Sequence, residues 1–273
     1  MPDKNNELIS VIIPTWNRAN LIEKAIGSVL AQTYSNLEVL ICDDGSTDNT
    51  EEIVSSINDK RIRFIAGTHA GVPAVPKNRG ITESKGEWLA FLDSDDLWFP
   101  AKLEKQLRRA KELNCLASST NAVRFVPGEG EKDTFIYWKK PRINFNNLLA
   151  GNLIISSSAM LHRSIFAKTE GFPEEKVLKV GEDYSLWLRV LTQTDCAYIN
   201  ERLVVYTDEP KSSVRAKQVN IWEVKKIVFN NFRNWAERQG IAPEFVRKTE
   251  RWFLYSLPNL PSILINGYKK YSR

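Results

Sequence analysis

The feature that most constrains the fold is a regular alternation of short apolar runs and helical segments over the first 113 residues. Mostly apolar runs of five or six residues, the length of a buried strand, lie at 9–13, 37–42, 61–66 and 87–92. Helical spacing or helix-start signals predict helices at 17–32, 48–57, 74–84 and 100–113. Strands that alternate with helices in this way predict a parallel sheet whose two faces are covered by helices.

Polar motifs follow three of the predicted strands at the point where each strand ends. They are Pro14-Thr15 after the first strand, Asp43-Asp44 after the second and Asp93-Ser94-Asp95 after the fourth. In open α/β sheets, ligands bind outside the carboxyl ends of the strands. Because the carboxyl ends of parallel strands lie at one edge of the sheet, the three motifs together predict a single ligand site.

The motif after the fourth strand is crowded with negative charge, since Asp93, Asp95 and Asp96 fall within four residues. Carboxylates that close repel one another, and a cation between them lowers the cost. An all-oxygen set of ligands suits a hard ion such as magnesium or manganese. The alternative is an acidic turn that caps the next helix, and Asp96 fits either that cap or a group behind the metal ligands.

Length and composition are those of an ordinary globular chain. The 273 residues are close to the upper limit for one hydrophobic core, so we expect one main domain with an appendage. No apolar run reaches the roughly 18 residues of a membrane span, and segment 1–7 has no signal-peptide pattern. Three cysteines stand far apart without metal-ligand spacing, which is typical of buried free thiols in a cytosolic protein.

The second half of the sequence is less regular. Strands are predicted at 116–125, 154–160 and 197–206, and a helix opens at Gly181. Beyond residue 213 the pattern turns helical and aromatic, and from residue 211 onward 13 Lys and Arg residues stand against 4 Asp and Glu residues. This local surplus of positive charge predicts that the C-terminal part faces something anionic.

Four motifs, taken in order, resemble those of family 2 inverting glycosyltransferases of the GT-A fold. They are Ser10-Val11-Ile12-Ile13-Pro14-Thr15-Trp16-Asn17, Asp43-Asp44-Gly45-Ser46-Thr47-Asp48, Asp93-Ser94-Asp95-Asp96, and Glu182-Asp183 with Trp187. The resemblance spans about residues 8–206. It implies an α/β fold with a Rossmann-like, mainly parallel sheet flanked by helices, and it leaves the C-terminal helical appendage outside. It also implies a UDP-sugar donor and a divalent metal ion, manganese or magnesium.

The resemblance assigns the first three motifs to the donor. By that resemblance Asp44 accepts the N3–H of a uracil, and Pro14 and Thr15 offer backbone contacts to the base. Asp95 is then the direct metal ligand, and Asp93 contacts the ribose or a metal-bound water. The other residues predicted to bind the donor are Asn17, Arg18, Lys77, Arg79 and Ser94.

Two cations, Lys77 and Arg79, precede the fourth strand, and we expect them to neutralise the diphosphate. The family usually has arginine at the position that matches Lys77; a lysine keeps the charge but loses the bidentate fork. Two surface cations on a helix are the alternative. His69, in the loop before them, is interpreted as structural and not as a residue that closes over the donor.

The fourth motif supplies the acceptor side. Inversion requires a base that deprotonates the acceptor hydroxyl as it attacks the anomeric carbon, and the resemblance gives this role to Asp183. Glu182 and Trp187 are predicted on the same side, with Trp187 one helical turn after Asp183 and beside the acceptor sugar. An acidic pair at a helix start is the alternative. Processive members carry a Gln-x-x-Arg-Trp motif that is missing here, which predicts transfer of one sugar per encounter.

These assignments divide the chain into a glycosyltransferase domain, residues 1–213, and a basic, aromatic helical extension, residues 214–273. The nucleotide-binding half of the domain covers about residues 1–100, and the acceptor half covers about residues 101–213. The extension either docks on the catalytic domain or lies on an anionic membrane surface, and the two can coexist. No recognised nucleic-acid-binding module is present.

The sequence therefore predicts metal-dependent, inverting transfer of a single sugar from a UDP-sugar to a glycan or lipid-linked glycan acceptor, in bacterial cell-surface polysaccharide assembly. The predicted location is the cytoplasm, or the inner face of the plasma membrane as a peripheral protein. A dehydrogenase is excluded because the turn after the first strand has no glycine, and a nucleotidyltransferase also expects a glycine-rich first loop. The alternative from another class is a scaffold that binds nucleotide or glycan without turnover.

Overall fold

The computed structural model describes residues 7–209 and 220–255, which form one ten-stranded sheet with helices packed against it. The strands are β1 (Ile9–Thr15), β2 (Leu37–Asp43), β3 (Ile62–Ile65), β4 (Trp88–Phe91), β5 (Leu97–Trp98), β6 (Ala117–Val126), β7 (Gly130–Thr134), β8 (Arg142–Ile143), β9 (Met160–His162) and β10 (Cys196–Thr207). The helices are α1 (Ile22–Leu30), α2 (Thr50–Ser56), α3 (Ala74–Glu83), α4 (Lys102–Glu112), α5 (Phe145–Ala150), α6 (Phe166–Thr169), α7 (Glu182–Val190), α8 (Ile221–Arg238) and α9 (Pro243–Tyr255).

The main strand order is β3-β2-β1-β4-β9-β6-β10-β5. Strands β3, β2, β1 and β4 pair in parallel, as do β6 and β10, and the short β9 joins the two groups by antiparallel pairing on both sides. This arrangement confirms the predicted α/β fold with a mainly parallel sheet. Strands β5, β7 and β8 were not predicted, because β5 and β8 have only two residues each and β7 is polar throughout.

Packing against the sheet follows from the apolar stripe of each helix. In α1 the buried residues recur at helical spacing and are Ile22, Ala25, Ile26 and Val29. Helix α3 comes so close to β1 and β2 that a Cβ at Gly80 would lie 2.6 Å from Ile12 Cγ2 and 2.7 Å from Cys42 Sγ. A side chain at position 80 would therefore overpack the core between α3 and strands β1 and β2.

One predicted strand is wrong in its position. The strand expected at 154–160 begins only at Met160, and Ser156–Ser158 form a 3-10 turn before it. The turn forms because its buried hydroxyls bond elsewhere: Ser157 Oγ donates to the Asp96 carboxylate and accepts from the Asp93 backbone N–H.

Helix α8 packs on α7 and on the 3-10 turn Lys176–Leu178, and its Phe232 ring contacts the Phe145 ring of α5, so that buried aromatic side chains fill the contact. Those side chains are Phe145, Phe229, Phe232 and Trp235. The structure thus supports the docking interpretation of the extension for residues 220–255. Residues 210–219, which include the predicted boundary at 213, and 256–273, with Tyr268 and Tyr271, lie outside the described residues. Across the two described ranges, none of the helices has the length and apolar character needed to cross a membrane.

The three cysteines, Cys42, Cys115 and Cys196, are buried and free, as the spacing predicted. Burial raises the pKa of the Cys42 and Cys196 thiols to about 12. They contribute apolar volume to the core and no reactive thiolate.

Candidate active site

The three strand-end motifs meet at one edge of the sheet. This sheet edge is formed by the carboxyl ends of β1, β2 and β4. Thr15 pairs with Asp43 in the parallel register of β1 and β2, and the Asp44 backbone N–H donates to the Thr15 carbonyl at 2.8 Å. On the other side of β1, the Leu92 N–H donates to the Ile12 carbonyl at 3.1 Å, just before the acidic motif. Backbone pairing alone therefore brings the motifs together.

Asp95 and Asp96 differ in what their carboxylates contact. Asp95 lies 3.7 Å from Arg18 Nη2, and burial together with the neighbouring Asp93 raises the pKa of its carboxyl. Asp96 is 1 % exposed and accepts from the Thr207 N–H at 2.8 Å and from Ser157 Oγ. Asp96 therefore ties β10 to the acidic motif, and it does not cap α4, whose N-cap is Ala101.

A divalent cation fits this part of the sheet edge. No group of three or more His, Cys, Asp or Glu side chains in the described ranges could hold a metal by itself. Magnesium, however, commonly binds to one or two carboxylates and completes its shell with water and substrate phosphates. Asp93 and Asp95 offer two such carboxylates; burial first and the Asp93 charge second raise the pKa of Asp95, and a cation would lower the cost of keeping both charged.

Lys77 is buried, which shows that the surface-cation alternative is wrong for this residue. Its side chain is 2 % exposed, and Nζ lies 3.4 Å from Asp93 Oδ1 and 3.3 Å from Glu182 Oε1, and donates to Ser156 Oγ at 3.0 Å. Burial opposes the charge of Lys77, but the two carboxylates outweigh it and raise the pKa of the amine. The lysine predicted to meet the diphosphate thus joins the acidic motif to the start of α7.

Arg79 is the second cation that was predicted to contact the diphosphate. In the structure its guanidinium bonds to the protein backbone. Its Nη1 donates to the Asp43 carbonyl at 2.7 Å. A Cβ at Gly67 would lie 1.9 Å from the guanidinium, so the backbone of the 67–71 loop rests directly on it. Arg79 therefore supports the loop that follows β3.

Glu182 and Trp187 are corrections to the predicted acceptor side. Glu182 is 7 % exposed and faces Lys77; burial raises the pKa of its carboxyl to about 7, although Lys77 opposes that rise. Trp187 is 0 % exposed and packs against Phe91 and Phe172 in the core. Helix α7 is buried on nearly every side, so one turn after Asp183 its surface faces the core and not an acceptor.

Asp183 lies in the first turn of α7 and is partly exposed. Its Oδ1 accepts from the Tyr184 N–H at 2.6 Å, and its Oδ2 accepts from Asn152 Nδ2 at 3.3 Å. The N-terminus of a helix favours a negative charge at this position. Asn152 was not predicted: it lies 31 residues upstream, in the loop after α5, with no motif around it.

At the other end of the sheet edge, the Asp44 carboxylate is held by the 67–71 loop. It accepts from the Ala70 N–H at 3.0 Å and the Gly71 N–H at 3.1 Å, and His69 Nδ1 lies 2.9 Å from Oδ2. The His69 ring also stacks on Trp16, with 4.4 Å between ring centroids. His69 therefore contacts both Asp44 and Trp16, which fits the structural role interpreted from the sequence.

Three residues of the first motif have distinct surroundings. Trp16 is 47 % exposed and presents a large aromatic face beside Asp44, a feature that its place directly after Thr15 could have suggested. Thr15 Oγ1 is buried and has no hydrogen-bond partner within the described residues. Asn17, at φ +50°, accepts from the Thr47 N–H at 2.8 Å and so joins the first two motifs.

The remaining predicted donor residues lie on the same edge. Pro14 is partly exposed at the end of β1, and Ser94 is buried between the two metal-binding candidates. Arg18 is about one-third exposed beside Asp95, which leaves its guanidinium accessible from the site. The two other predicted donor residues bond to groups of the same edge: Lys77 contacts Asp93, and Arg79 donates to the Asp43 carbonyl.

Comparison with known proteins agrees with this geometry. Residues 10–169 match the family model described as glycosyl transferase family 2. The UDP-Glc:alpha-D-GlcNAc-diphosphoundecaprenol beta-1,3-glucosyltransferase WfgD of Escherichia coli is 34% identical over 265 residues, which cover 97% of this chain and 95% of that protein. WfaP of Escherichia coli, described by the same activity, is 35% identical over 190 residues, 68% of this chain and 71% of its own length.

The fold is also similar to a solved structure. The structure of S. aureus TarS 1-349 in complex with UDP superimposes with a TM-score of 0.70 at 20% identity, over 94% of this chain and 74% of that one. At this identity the likeness concerns the fold, and it agrees with the GT-A arrangement of the sheet and its helices.

Proposed function

Because the chain belongs to glycosyl transferase family 2, we propose that it transfers a single sugar, with inversion, from a UDP-sugar to a lipid-linked glycan acceptor with the help of a divalent cation. The observation that carries the proposal is that Lys77 contacts both Asp93 and Glu182, so that the first turn of α7, which carries Asp183, is held next to the acidic motif. One carboxylate pair can serve the leaving diphosphate while the other carboxylate serves the attacking hydroxyl.

The nucleotide end is supported by Trp16, Asp44 and Thr15. An exposed indole face stacks on a planar base, and a carboxylate accepts a ring N–H such as the imide N–H of uracil, which adenine lacks. The buried Thr15 Oγ1 gains a partner when a ligand enters. The relatives WfgD and WfaP are named for UDP-Glc, and TarS binds UDP, so UDP-glucose is the first donor to test.

The diphosphate end is formed by Asp93, Asp95 and Arg18. Asp93 and Asp95 would hold the divalent cation, which would supply positive charge to the leaving diphosphate. Arg18 already lies 3.7 Å from Asp95, so its guanidinium can contribute a second positive charge from this chain. The residues thus counter the negative charge that develops when the bond between the anomeric carbon and the diphosphate oxygen breaks.

The acceptor end is formed by Asp183 with Asn152. Asp183 takes the proton of the acceptor hydroxyl while that oxygen bonds to the anomeric carbon from the face opposite the diphosphate. The amide of Asn152 donates to Asp183 Oδ2 and orients the carboxylate. The Lys77–Glu182 pair lies behind this group and fixes the first turn of α7 relative to the acidic motif.

The acceptor class follows from the relatives and from the charge of the extension. WfgD and WfaP are named for an acceptor with a diphosphoundecaprenol group, and we assign this chain to the same step of bacterial cell-surface polysaccharide assembly at the inner face of the plasma membrane. The positive surplus after residue 211 suits an anionic membrane surface. The chain should then sediment with anionic liposomes, less so as salt increases; no sedimentation at low salt would contradict the membrane contact.

The direct test is an assay with UDP-glucose, manganese and a synthetic GlcNAc-diphospholipid. A glycolipid product with a β-linkage is expected from the α-linked donor, and NMR of the product reads the configuration. An α-linked product would contradict inversion. If neither transfer nor donor hydrolysis occurs with any UDP-sugar, while UDP still binds, the scaffold alternative is correct.

A further inference from the structure

Helix α7, which carries Asp183, begins at a residue that cannot cap it. Gly181 has φ +113°, a left-handed conformation that residues with a Cβ rarely adopt, and it has no side chain to bond the first amides of the helix. The preceding turn, Lys176–Leu178, therefore meets α7 at a sharp bend in the backbone. Contacts from outside α7 must fix the direction in which its first turn points.

One side chain of α8 makes such contacts on both sides of the bend. Asn231 Oδ1 accepts from Ser185 Oγ at 2.6 Å and from Arg189 Nη2 at 2.7 Å, both on α7. Asn231 Nδ2 donates to Glu175 Oε1 at 2.9 Å, at the start of the turn before Gly181. A single amide thus bonds to the chain before and after Asp183.

The same helix also packs against the bend and the loop beside it. A Cβ at Gly181 would lie 2.9 Å from Val228 Cγ2 and 3.2 Å from Val224 Cγ1. Lys225 Nζ donates to the Ala150 carbonyl at 3.1 Å, two residues before the asparagine that donates to Asp183. Helix α8 therefore supports the surroundings of Asp183 from two directions.

We propose that Asn231 is a positioning residue for Asp183, an assignment that rests on the proposed function because it takes Asp183 as the base. The Asn231 carbonyl oxygen accepts from α7, and its amide N–H donates to Glu175 at the turn before Gly181. A smaller side chain lacks both groups, and a carboxylate lacks the donor. Helix α8 lies beyond the residues 10–169 that match the family model. The extension is in this way part of the catalytic machinery and not only a contact to a surface.

The first test compares Asn231→Ala with Asn234→Ala, which changes an exposed asparagine on the same helix. Amide hydrogen exchange over residues 182–186 should become faster in N231A only, with the core strands unchanged. A base displaced by a fraction of an ångström should lower kcat by roughly 10- to 100-fold. The donor KM and the affinity for UDP should stay within about twofold, because the sheet edge is untouched.

The second test is a rescue. Asn231→Asp keeps an acceptor for Ser185 and Arg189 but opposes the Glu175 carboxylate, so kcat should stay low. Adding Glu175→Gln supplies the missing donor from the other side, and N231D/E175Q should recover to within about threefold of the wild-type kcat. Such a recovery identifies the bond across the bend, which a general loss of stability would not restore.

The assignment would be overturned by exchange and kcat in N231A equal to those in N234A, or by a double variant no better than N231D. A parallel loss of kcat and UDP affinity in N231A would also contradict it, because it would indicate general destabilisation. If the wild-type chain transfers no sugar from any UDP-sugar, the proposed function fails, and the exchange rates over residues 182–186 still decide whether Asn231 holds α7.

Discussion

The sheet edge and helix α7 carry the two ends of the proposed site, and they are held in place by different means. At the sheet edge, backbone hydrogen bonds between parallel strands place Thr15, Asp44 and the acidic motif. Around α7, single side chains from distant segments do so, among them Lys77 and Asn152. Substitutions at the sheet edge should therefore change donor binding, whereas substitutions around α7 should change turnover or stability.

Asp95→Ala should have the largest effect at the sheet edge. Without this carboxylate the manganese-dependent part of UDP binding should be lost, and kcat should fall by roughly 100-fold or more. Calorimetry with UDP, with and without manganese, measures the first effect. Asp133→Ala, an exposed carboxylate on β7, is the control. Unchanged manganese-dependent affinity in D95A would remove Asp95 from the metal site.

Lys77→Met tests the link between the two ends. It leaves the buried Glu182 carboxylate unpaired, which should cost about 3–5 kcal/mol of unfolding free energy. The control is Lys105→Met, which breaks an exposed pair with Glu201 and should cost less than about 1 kcal/mol. Urea denaturation measures both, and equal costs would show that the buried pair contributes no more than the exposed one.

The pH dependence of K77M sharpens the same test. The folded-state pKa of Glu182 is already raised to about 7 from 4.5, so the folded protein binds a proton more strongly than the unfolded chain. Stability from this group therefore falls as pH rises between these values. Lys77 limits that fall by favouring the charged form, so K77M should lose more stability at pH 8 than at pH 5. A loss independent of pH would mean that Glu182 is not buried beside Lys77.

Trp16→Ala should weaken UDP binding by about tenfold, the value of one base stacked on an aromatic ring. Trp222→Ala, which removes an exposed tryptophan on α8, should leave UDP affinity unchanged. Calorimetric titration with UDP compares the two variants. Equal affinities would show that the base lies elsewhere on the sheet edge.

Lys102→Met should have the smallest effect, which should appear in the pH dependence of stability. Lys102 is fully buried on α4, and burial lowers its pKa well below the usual value. Below the ordinary lysine pKa the unfolded chain binds this proton more readily, so stability declines as pH falls. K102M should show a smaller difference in unfolding free energy between pH 9 and pH 6. An unchanged difference would indicate that Lys102 titrates normally.

The same contrast between the sheet edge and α7 decides which residues of the site could be predicted from the sequence. Strands β1, β2 and β4 and the residues at their ends follow from local periodicity and chain order, and the structure has them at one sheet edge. The partners of α7 are not local: Lys77 meets Glu182 across 105 residues, and Asn152 meets Asp183 across 31. Trp187 was placed wrongly for a related reason, because spacing gives the face of a helix but not what that face contacts.

The central claim is that Asp183 acts on the acceptor while the donor is bound separately at the sheet edge. Asp183→Asn, nearly identical in shape, tests it most directly when transfer and UDP affinity are measured on the same preparation. Because the amide cannot take the proton of the acceptor hydroxyl, kcat should fall by roughly 10²- to 10⁴-fold while UDP affinity stays unchanged. Full transfer activity in D183N would contradict the role of Asp183 as the base.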